Sequence, residues 1–294
     1  MTKSAKFQRG LKPEIIDMLK NDPLFLKKLK GDCEKGDVFP AVRGGYMSFY
    51  YKGGSLFTYD YKPKMFATHI KYALVPTEDT KDNYVTSEEL RNAKLEHNFV
   101  QAYESIKRRC ELHAGNNEAA GMSKLYKFSP VSKVENLNRF YLVDIEIAFT
   151  ADNDERKRKT TDRIDILLYD NDEKRLLFCE AKHFSNGDVR AGKNRTPAVV
   201  PQLARYNDQI EEKKEQILEQ YAQHFEVLHD LFGVNLNPPE KIYPFCGLLL
   251  FGFDDDQKKG RLKKHLHSLE GHKFYTIGDP AGISAETLYK ELIK

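Results

Sequence analysis

The segment RLLFCEAKHF, residues 175–184, restricts the fold more than any other part of this chain. Its apolar and aromatic residues predict a buried β-strand, yet it carries Glu180 and Lys182 at alternate positions. Side chains two residues apart in a strand project from the same face, so the two charges lie together, whereas Ala181 and its apolar neighbours point to the other face. Burial of charge is costly, so this strand needs either a partner for the charges or a chemical use for them.

A second apolar strand lies just upstream, in RIDILLYD at residues 163–170. Asp165 stands between Ile164 and Ile166 and projects from the face opposite this apolar pair. Turn residues at 171–172 separate the two strands, which predicts an antiparallel hairpin. In such a hairpin Asp165 and Glu180 lie opposite or nearly opposite each other.

Two carboxylates and an amine that converge on a strand pair suit a divalent cation. Asp165 and Glu180, with the backbone carbonyl of Ala181, would supply hard oxygen ligands for Mg²⁺ or Mn²⁺. Such an ion can lower the pKa of a bound water and stabilise charge on a phosphate during in-line displacement. Lys182 would orient that water or offset the developing negative charge.

The stretch VVPQLARY, residues 199–206, adds Gln202 and Tyr206 four positions apart, on one face of a predicted helix. Together with Asp165 and the Glu180-Ala181-Lys182 triplet, this set resembles the PD-(D/E)xK nuclease superfamily, and within it the RecB-like branch with its QxxxY motif. The resemblance covers roughly residues 87–255. The superfamily's proline before the aspartate is absent, and Arg163-Ile164 takes its place without removing the aspartate.

The resemblance implies a restriction-endonuclease-like core of the α/β or α+β class, in which a mixed sheet is flanked by helices in the order αβββαβ. The predicted elements follow that order: a helix over 87–113, strands near 140, 163 and 175, a helix from 201 and a strand at 245. It implies hydrolysis of DNA phosphodiester bonds with Mg²⁺ or Mn²⁺. The catalytic residues would be Asp165, Glu180, Lys182, Gln202 and Tyr206.

The resemblance also implies one more acidic residue, usually from the first helix. Glu96 is favoured because the apolar run HNFVQAY follows it, with Glu104 a second candidate and Glu111 a weaker one. Glu146, assigned to the polar face of an alternating strand that precedes Asp165, competes with them. The sequence does not separate Glu96 from Glu146.

Two basic loops adjoin these elements and are expected to contact phosphates. They contain Arg156, Lys157, Arg158 and Lys159, then Arg190, Lys193 and Arg195. A third basic segment, Lys258 to Lys264, is interpreted as a solvated surface helix. His183 is expected to be structural.

Residues 1–85 are expected to form a separate module that contacts substrate or a partner, and residues 86–294 the nuclease domain. The module would contain two short helices over residues 11–30 and a small antiparallel meander with a turn at Lys52-Gly53-Gly54. The stretch over residues 76–85 is interpreted as a connection.

Composition narrows the classes of protein to which the chain could belong. The 294 residues are 40% apolar and 31% charged, which indicates a globular protein, and a net charge of +3 says little about partners. Four cysteines without a CxxC pair predict reduced thiols. No stretch indicates a signal peptide or membrane span, so the expected location is the cytoplasm.

The sequence contains no P-loop, so we expect no ATP-driven motor in this chain. The resemblance implies a role in restriction, antiviral defence or repair, with a separate ATPase or helicase as partner. The alternative is a catalytically silent subunit with a nuclease-like fold that binds nucleic acid or acts as a scaffold. The sequence leaves open whether the substrate is DNA or RNA, whether cleavage is exo- or endonucleolytic, and whether the chain self-assembles.

Overall fold

A computed structural model describes residues 7–60, 65–73, 83–86, 88–89, 98–113, 117–135, 137–149, 163–190 and 196–294. The chain has an α+β architecture with two sheets, in two compact units. The antiparallel-sheet unit comprises residues 8–136 and 223–236. The mixed-sheet unit comprises residues 137–222 and 237–294, together with Phe7.

The antiparallel-sheet unit is built on five strands in the described part of the chain, each paired with the next in sequence. A turn at Lys52-Gly53, where both residues have positive φ, joins the second and third strands and confirms the predicted hairpin. The unit has more strands than the predicted meander: Val38–Val42 precedes the predicted hairpin, and the short strand Tyr84–Thr86 lies among polar residues that were interpreted as a connection. The strands are β1 Val38–Val42, β2 Tyr46–Tyr51, β3 Gly54–Asp60, β4 Met65–His69 and β5 Tyr84–Thr86.

Short helices cover this sheet and bury its aromatic face. The predicted pair of N-terminal helices is present as α1, Pro13–Lys20, and a second helical stretch in which a π-helical turn, Phe25–Leu29, runs into α2, Lys30–Glu34. The other helices of the unit are α3 Ile70–Ala73, α4 Phe99–His113 and α5 Asn117–Ser123.

Helix α4 corrects the predicted domain division. Phe57 of β3 packs against Phe99 and stacks on Tyr103, with ring centroids 5.1 and 6.0 Å apart, so α4 belongs to the antiparallel-sheet unit. The boundary therefore falls between residues 136 and 137 and not between 85 and 86, and α4 is not the first helix of the other unit. The spacing of apolar residues shows which helix face is buried, but not which sheet covers it.

The mixed-sheet unit contains the strands predicted to carry the site. The described strands are ordered β11-β10-β8-β7-β6, with the short β9 beside the start of β8. β6, β7 and β8 are antiparallel neighbours, as predicted, whereas β10 runs parallel to β8 and β11 parallel to β10. The strands are β6 Phe140–Ile147, β7 Ile164–Asp170, β8 Arg175–His183, β9 Lys241–Ile242, β10 Gly247–Phe251 and β11 Phe274–Ile277.

Helices pack on this sheet through apolar stripes. Helix α6, Val199–Glu212, buries Leu203, Tyr206 and Ile210 on one face, as its 3.6-residue spacing predicts. Helix α7 continues over Lys214–Phe232, and its residues after Ala222 belong to the antiparallel-sheet unit. The later helices are α8 Asp255–Gln257, α9 Lys263–Leu266 and α10 Ala285–Ile293, with a π-helical turn, Lys258–Leu262, between α8 and α9.

Strand β6 departs from the predicted alternation. Its register shifts between Leu142 and Asp144, and Glu146 has a φ of 52°. Asp144, which alternation places on one face with Glu146, is fully buried and accepts hydrogen bonds from the Tyr221 hydroxyl and the Ile145 amide, each at 2.8 Å. The register keeps Asp144 opposite Leu167 and Glu146 opposite Asp165, so alternation predicted their shared face but not the burial of Asp144.

All four cysteines are buried free thiols, which confirms the prediction. No helix among the described residues combines the length and apolar character needed to cross a membrane.

Candidate active site

The site lies where β7 and β8 stop pairing through their backbones. Their last backbone pair joins Ile166 to Cys179, although β7 begins at Ile164 and β8 continues to His183. One position beyond that pair, Oδ2 of Asp165 accepts a hydrogen bond from the Ala181 amide at 2.7 Å. A side chain thus replaces a backbone acceptor, and Asp165 and Glu180 face each other as the hairpin predicted.

Glu180 and Lys182 form a buried ion pair within β8. Nζ of Lys182 donates to Oε1 of Glu180 at 2.6 Å, and the two residues are only 1% and 8% exposed. The strand is covered on both faces, so these charges are not solvated. Each buried charge carries a desolvation penalty of several kcal/mol that a single ion pair offsets only in part, which makes a purely stabilising role a weak explanation.

Helix α6 supplies the next two members of the cluster. Nε2 of Gln202 donates to Oε1 of Glu180 at 3.0 Å and to the Tyr206 hydroxyl at 2.8 Å. The Tyr206 hydroxyl in turn donates to the Arg163 carbonyl at 2.8 Å. A continuous hydrogen-bonded chain therefore joins Lys182, Glu180, Gln202 and Tyr206 to the residue that precedes β7, and the predicted helical face does point at the strand pair.

Glu146 completes a row of carboxylates across three strands. The β6–β7 register pairs Ile145 with Ile166 and Ile147 with Ile164, which places Glu146 opposite Asp165. Oε2 of Glu146 lies 3.4 Å from Nη1 of Arg163. Of the two residues that the sequence left open, Glu146 is next to the site, whereas Glu96 lies outside the described residues.

The pKa of Asp165 is changed by burial and by the neighbouring carboxylates. Burial, and then the charges of Glu180 and Glu146, raise the pKa of Asp165 well above its ordinary value, although Lys182 and the Ala181 amide act in the opposite direction. Ionised Asp165 is therefore disfavoured by its surroundings unless further positive charge is present. Strongly perturbed carboxyl groups of this kind are concentrated at functional sites.

The oxygen atoms of the site are of the hard type that Mg²⁺ prefers. Asp165 and Glu180 contribute carboxylate oxygens, and in an extended strand the Ala181 carbonyl projects to the same edge as its amide, which faces Asp165. Among the residues that the structure describes, no group of three or more His, Cys, Asp or Glu side chains could hold a metal. A metal here would therefore depend on two carboxylates and a backbone oxygen.

The remaining candidates fall into two groups. Glu104 and Glu111 lie in the antiparallel-sheet unit, where Glu104 pairs with Lys28 at 3.6 Å and Glu111 accepts from the Tyr51 hydroxyl at 3.5 Å. Of the predicted phosphate-contacting residues only Arg190 is described; it is exposed and donates to the Ser185 carbonyl at 2.8 Å. The others lie outside the described residues: Arg156, Lys157, Arg158, Lys159, Lys193 and Arg195.

His183, which was interpreted as structural, contacts a neighbouring loop residue and the glycine that follows β10. Its Nδ1 lies 2.7 Å from Oγ of Ser185, and its ring packs against Gly252, which has a φ of 84°. A Cβ at residue 252 would overlap the imidazole, so the close approach of the two strands requires glycine there.

Sequence reasoning missed the part played by Arg163. Its carbonyl receives the Tyr206 hydroxyl and its guanidinium faces Glu146, so it ties α6 and β6 to the start of β7. Its position two residues before Asp165, hence on the same strand face, was the available signal.

A scan against protein-family models, a search of curated proteins and a search of solved structures each found no match.

Proposed function

We propose that this protein is a Mg²⁺-dependent nuclease of the PD-(D/E)xK type, RecB-like branch, that hydrolyses DNA phosphodiester bonds. One observation carries the proposal. The catalytic residues that the resemblance names, which come from β7, β8 and α6, meet in a single cluster. An unrelated set of Asp, Glu, Lys, Gln and Tyr residues has no reason to converge on one strand junction.

Asp165, Glu180 and the Ala181 carbonyl would hold the metal. The fit rests on the chemistry of these oxygen donors and on the raised pKa of Asp165, which burial and the neighbouring carboxylates produce and which a cation would lower. Bound at this position, Mg²⁺ would supply an activated water and charge stabilisation at the phosphate. Glu146, opposite Asp165, would add negative charge that favours cation binding.

Lys182 supplies the fixed positive charge of the site. Its ammonium lies 2.6 Å from Glu180 in a largely buried position, where electrostatic interactions are stronger than in water. A charge placed there stabilises the extra negative charge that develops on a phosphate under attack. The Glu180 carboxylate offsets part of the cost of burying this ammonium.

Gln202 and Tyr206 position the other groups. Gln202 restricts the Glu180 carboxylate through the bond to Oε1, and Tyr206 fixes both the Gln202 amide and the backbone that leads into Asp165. A carboxylate held by two donors has less freedom to leave its productive orientation.

The wider role also belongs to this proposal. The resemblance points to a cytoplasmic defence, restriction or repair system in which another protein provides ATPase or helicase activity. Since the 294-residue sequence has no P-loop, any ATP-driven strand opening would come from that partner.

Cleavage of labelled DNA with Mg²⁺ or Mn²⁺ tests the proposal. Linear and circular, single- and double-stranded DNA would be compared for the wild type and for Asp165→Asn, Glu180→Gln and Lys182→Met. Matched controls replace the same residue types at exposed positions of the mixed-sheet unit: Asp172→Asn, Glu240→Gln and Lys241→Met. We expect metal-dependent cleavage that falls by about 10²-fold or more in the site variants, the usual effect of removing one transition-state-stabilising group.

Two results would count against the proposal. Cleavage that survives in all three site variants would refute the site assignment. Binding of DNA without cleavage of any substrate, with either metal, would favour the silent binding or scaffolding subunit.

A further inference from the structure

The carboxyl ends of β8 and β10 lie side by side at the edge of the sheet that carries the site. The strands are parallel, and their register pairs Lys182 with Leu250 and His183 with Phe251. Beyond the strands, the Phe184 amide donates to the Phe251 carbonyl at 2.7 Å. The segment that follows β10 therefore begins next to the site.

That segment, residues 254–269, belongs to the mixed-sheet unit and buries two leucines. Asp254 and Gln257 form a reciprocal capping box at its start, with bonds of 2.7 and 3.0 Å. Leu262 and Leu269 are buried, which fixes one side of the segment. Lys258, Lys259 and Lys263 are exposed on the remaining surface.

The three lysines differ from other lysines of the unit in their ion pairing. Within the described part of the chain, none of the three forms an ion pair with a carboxylate, whereas other lysines of the same unit do, such as Lys174 with Glu240 and Lys290 with Glu286. The acidic residues at 254–256 occupy the start of the segment, where the helix dipole favours negative charge.

Arg190 extends this positive surface from the β8 side. It donates to the Ser185 carbonyl in the loop that follows β8. Burial, and then the charge of Arg190, lower the pKa of His265, so Arg190 lies close enough to the basic segment to influence it. The exposed cations thus come from two chain segments that leave the same sheet edge.

We propose that Lys258, Lys259, Lys263 and Arg190 form a surface that holds the phosphate backbone of double-stranded DNA beside the site. This inference rests on the proposed function, since a duplex with one phosphate at Lys182 must continue over the adjoining surface. Duplex DNA carries a high density of fixed charge, and unpaired surface cations bind it largely by releasing its counterions. The segment at residues 258–264 is then a binding element, not only a solvated helix.

Binding measured without divalent metal tests the inference. Fluorescence anisotropy of a labelled duplex would be recorded in chelator over a series of salt concentrations for the full-length protein. The test variant is Lys259→Ala/Lys263→Ala, and the matched control is Lys241→Ala/Lys273→Ala, which removes two exposed lysines at the opposite, amino-terminal ends of the parallel strands.

Each phosphate contact contributes about 0.9 to the slope of log affinity against log salt. Loss of two contacts should therefore reduce the slope by about 1.8 and weaken binding roughly 30-fold at 0.15 M salt, as the same relation gives. The control and a charge-retaining Lys259→Arg/Lys263→Arg variant should bind like the wild type. Thermal unfolding of each variant checks that the fold is retained.

Unchanged affinity and slope in the test variant, with the fold retained, would overturn the inference. An equal loss of DNA affinity in the control would overturn it too, because binding would then be a general response to positive charge. Competition by polyglutamate as effective as that by DNA would also overturn it, because the surface would then be a site for acidic proteins. Because binding is read in chelator, its outcome is separate from cleavage. Lysine-dependent binding without any cleavage would refute the proposed function alone, and cleavage without that dependence would refute this inference alone.

Discussion

Replacement of Asp165 by Asn should make the protein more stable while removing the proposed nuclease activity. Burial and the charges of Glu180 and Glu146 raise the pKa of Asp165, so the ionised carboxylate destabilises the folded state. Asn has the same shape, keeps an oxygen acceptor for the Ala181 amide and carries no charge. We expect a gain of about 0.5–2 kcal/mol in the free energy of unfolding at neutral pH, the range common for single stabilising substitutions.

The pH dependence of this gain has a defined sign. Because the pKa of Asp165 is raised in the folded state, the wild type loses stability as pH rises from the ordinary aspartate pKa, about 3.9, through that raised pKa. The Asn variant has no such loss. The stability difference should therefore vanish near pH 3.5 and grow with pH before it levels off, as measured by urea unfolding in chelator.

Asp170 is the matched control, since it is the same residue type on the same strand. Although burial acts to raise it, hydrogen bonds from Arg139 at 2.9 and 2.8 Å hold the pKa of Asp170 below its ordinary value. Asp170→Asn should therefore destabilise, by about 1–2 kcal/mol for loss of a charged hydrogen-bonded pair. Equal destabilisation by Asp165→Asn would refute the view that Asp165 is retained at a cost to stability.

Three further outcomes are expected. Mg²⁺ should raise the melting temperature of the wild type but not of Asp165→Asn, with about 2.7 kcal/mol of stabilisation at 100 times the dissociation constant; equal shifts in both proteins would place the metal elsewhere. Tyr206→Phe removes the hydroxyl that donates to the Arg163 carbonyl. It should lower the free energy of unfolding in urea by about 1–3 kcal/mol and slow cleavage. Wild-type values for both would show that Tyr206 has no role in the site. Although burial acts to raise the pKa of Asp32, the hydrogen bond from Lys107 at 2.6 Å holds it below its ordinary value. Asp32→Asn should therefore destabilise the fold by about 1–3 kcal/mol at pH 7 and progressively less as pH falls below about 4. A loss of stability that does not change with pH would contradict this.

The core of the site was accessible from sequence because its determinants are local. The β7–β8 register follows from two apolar runs and one short turn, so Asp165 and Glu180 could be placed opposite each other. The approach of Gln202 and Tyr206 followed from helical spacing, which fixes a shared face without further knowledge.

The features that could not be predicted from the sequence depend on contacts between distant segments. Helix α4 shows the same apolar periodicity whichever sheet it covers, so its place beside Phe57 could not be read from that spacing. The β6 bulge breaks the alternation on which strand predictions depend, and the burial of Asp144 beside Tyr221 could not be inferred from its own strand. The cations at 258–263 were assigned to solvent because only the parallel pairing of β8 and β10 brings them to the edge that carries the site.

Anomalous diffraction from Mn²⁺-soaked crystals shows whether Asp165 and Glu180 bind one metal ion between them. Mn²⁺ favours the same carboxylate and carbonyl oxygens as Mg²⁺. We expect one peak bonded to both Asp165 and Glu180, at about the 2.1 Å that Mg²⁺ requires, and its loss in Asp165→Asn. A Mn²⁺ ion bound at other residues, or an empty site at concentrations that support cleavage, would contradict the proposed metal site.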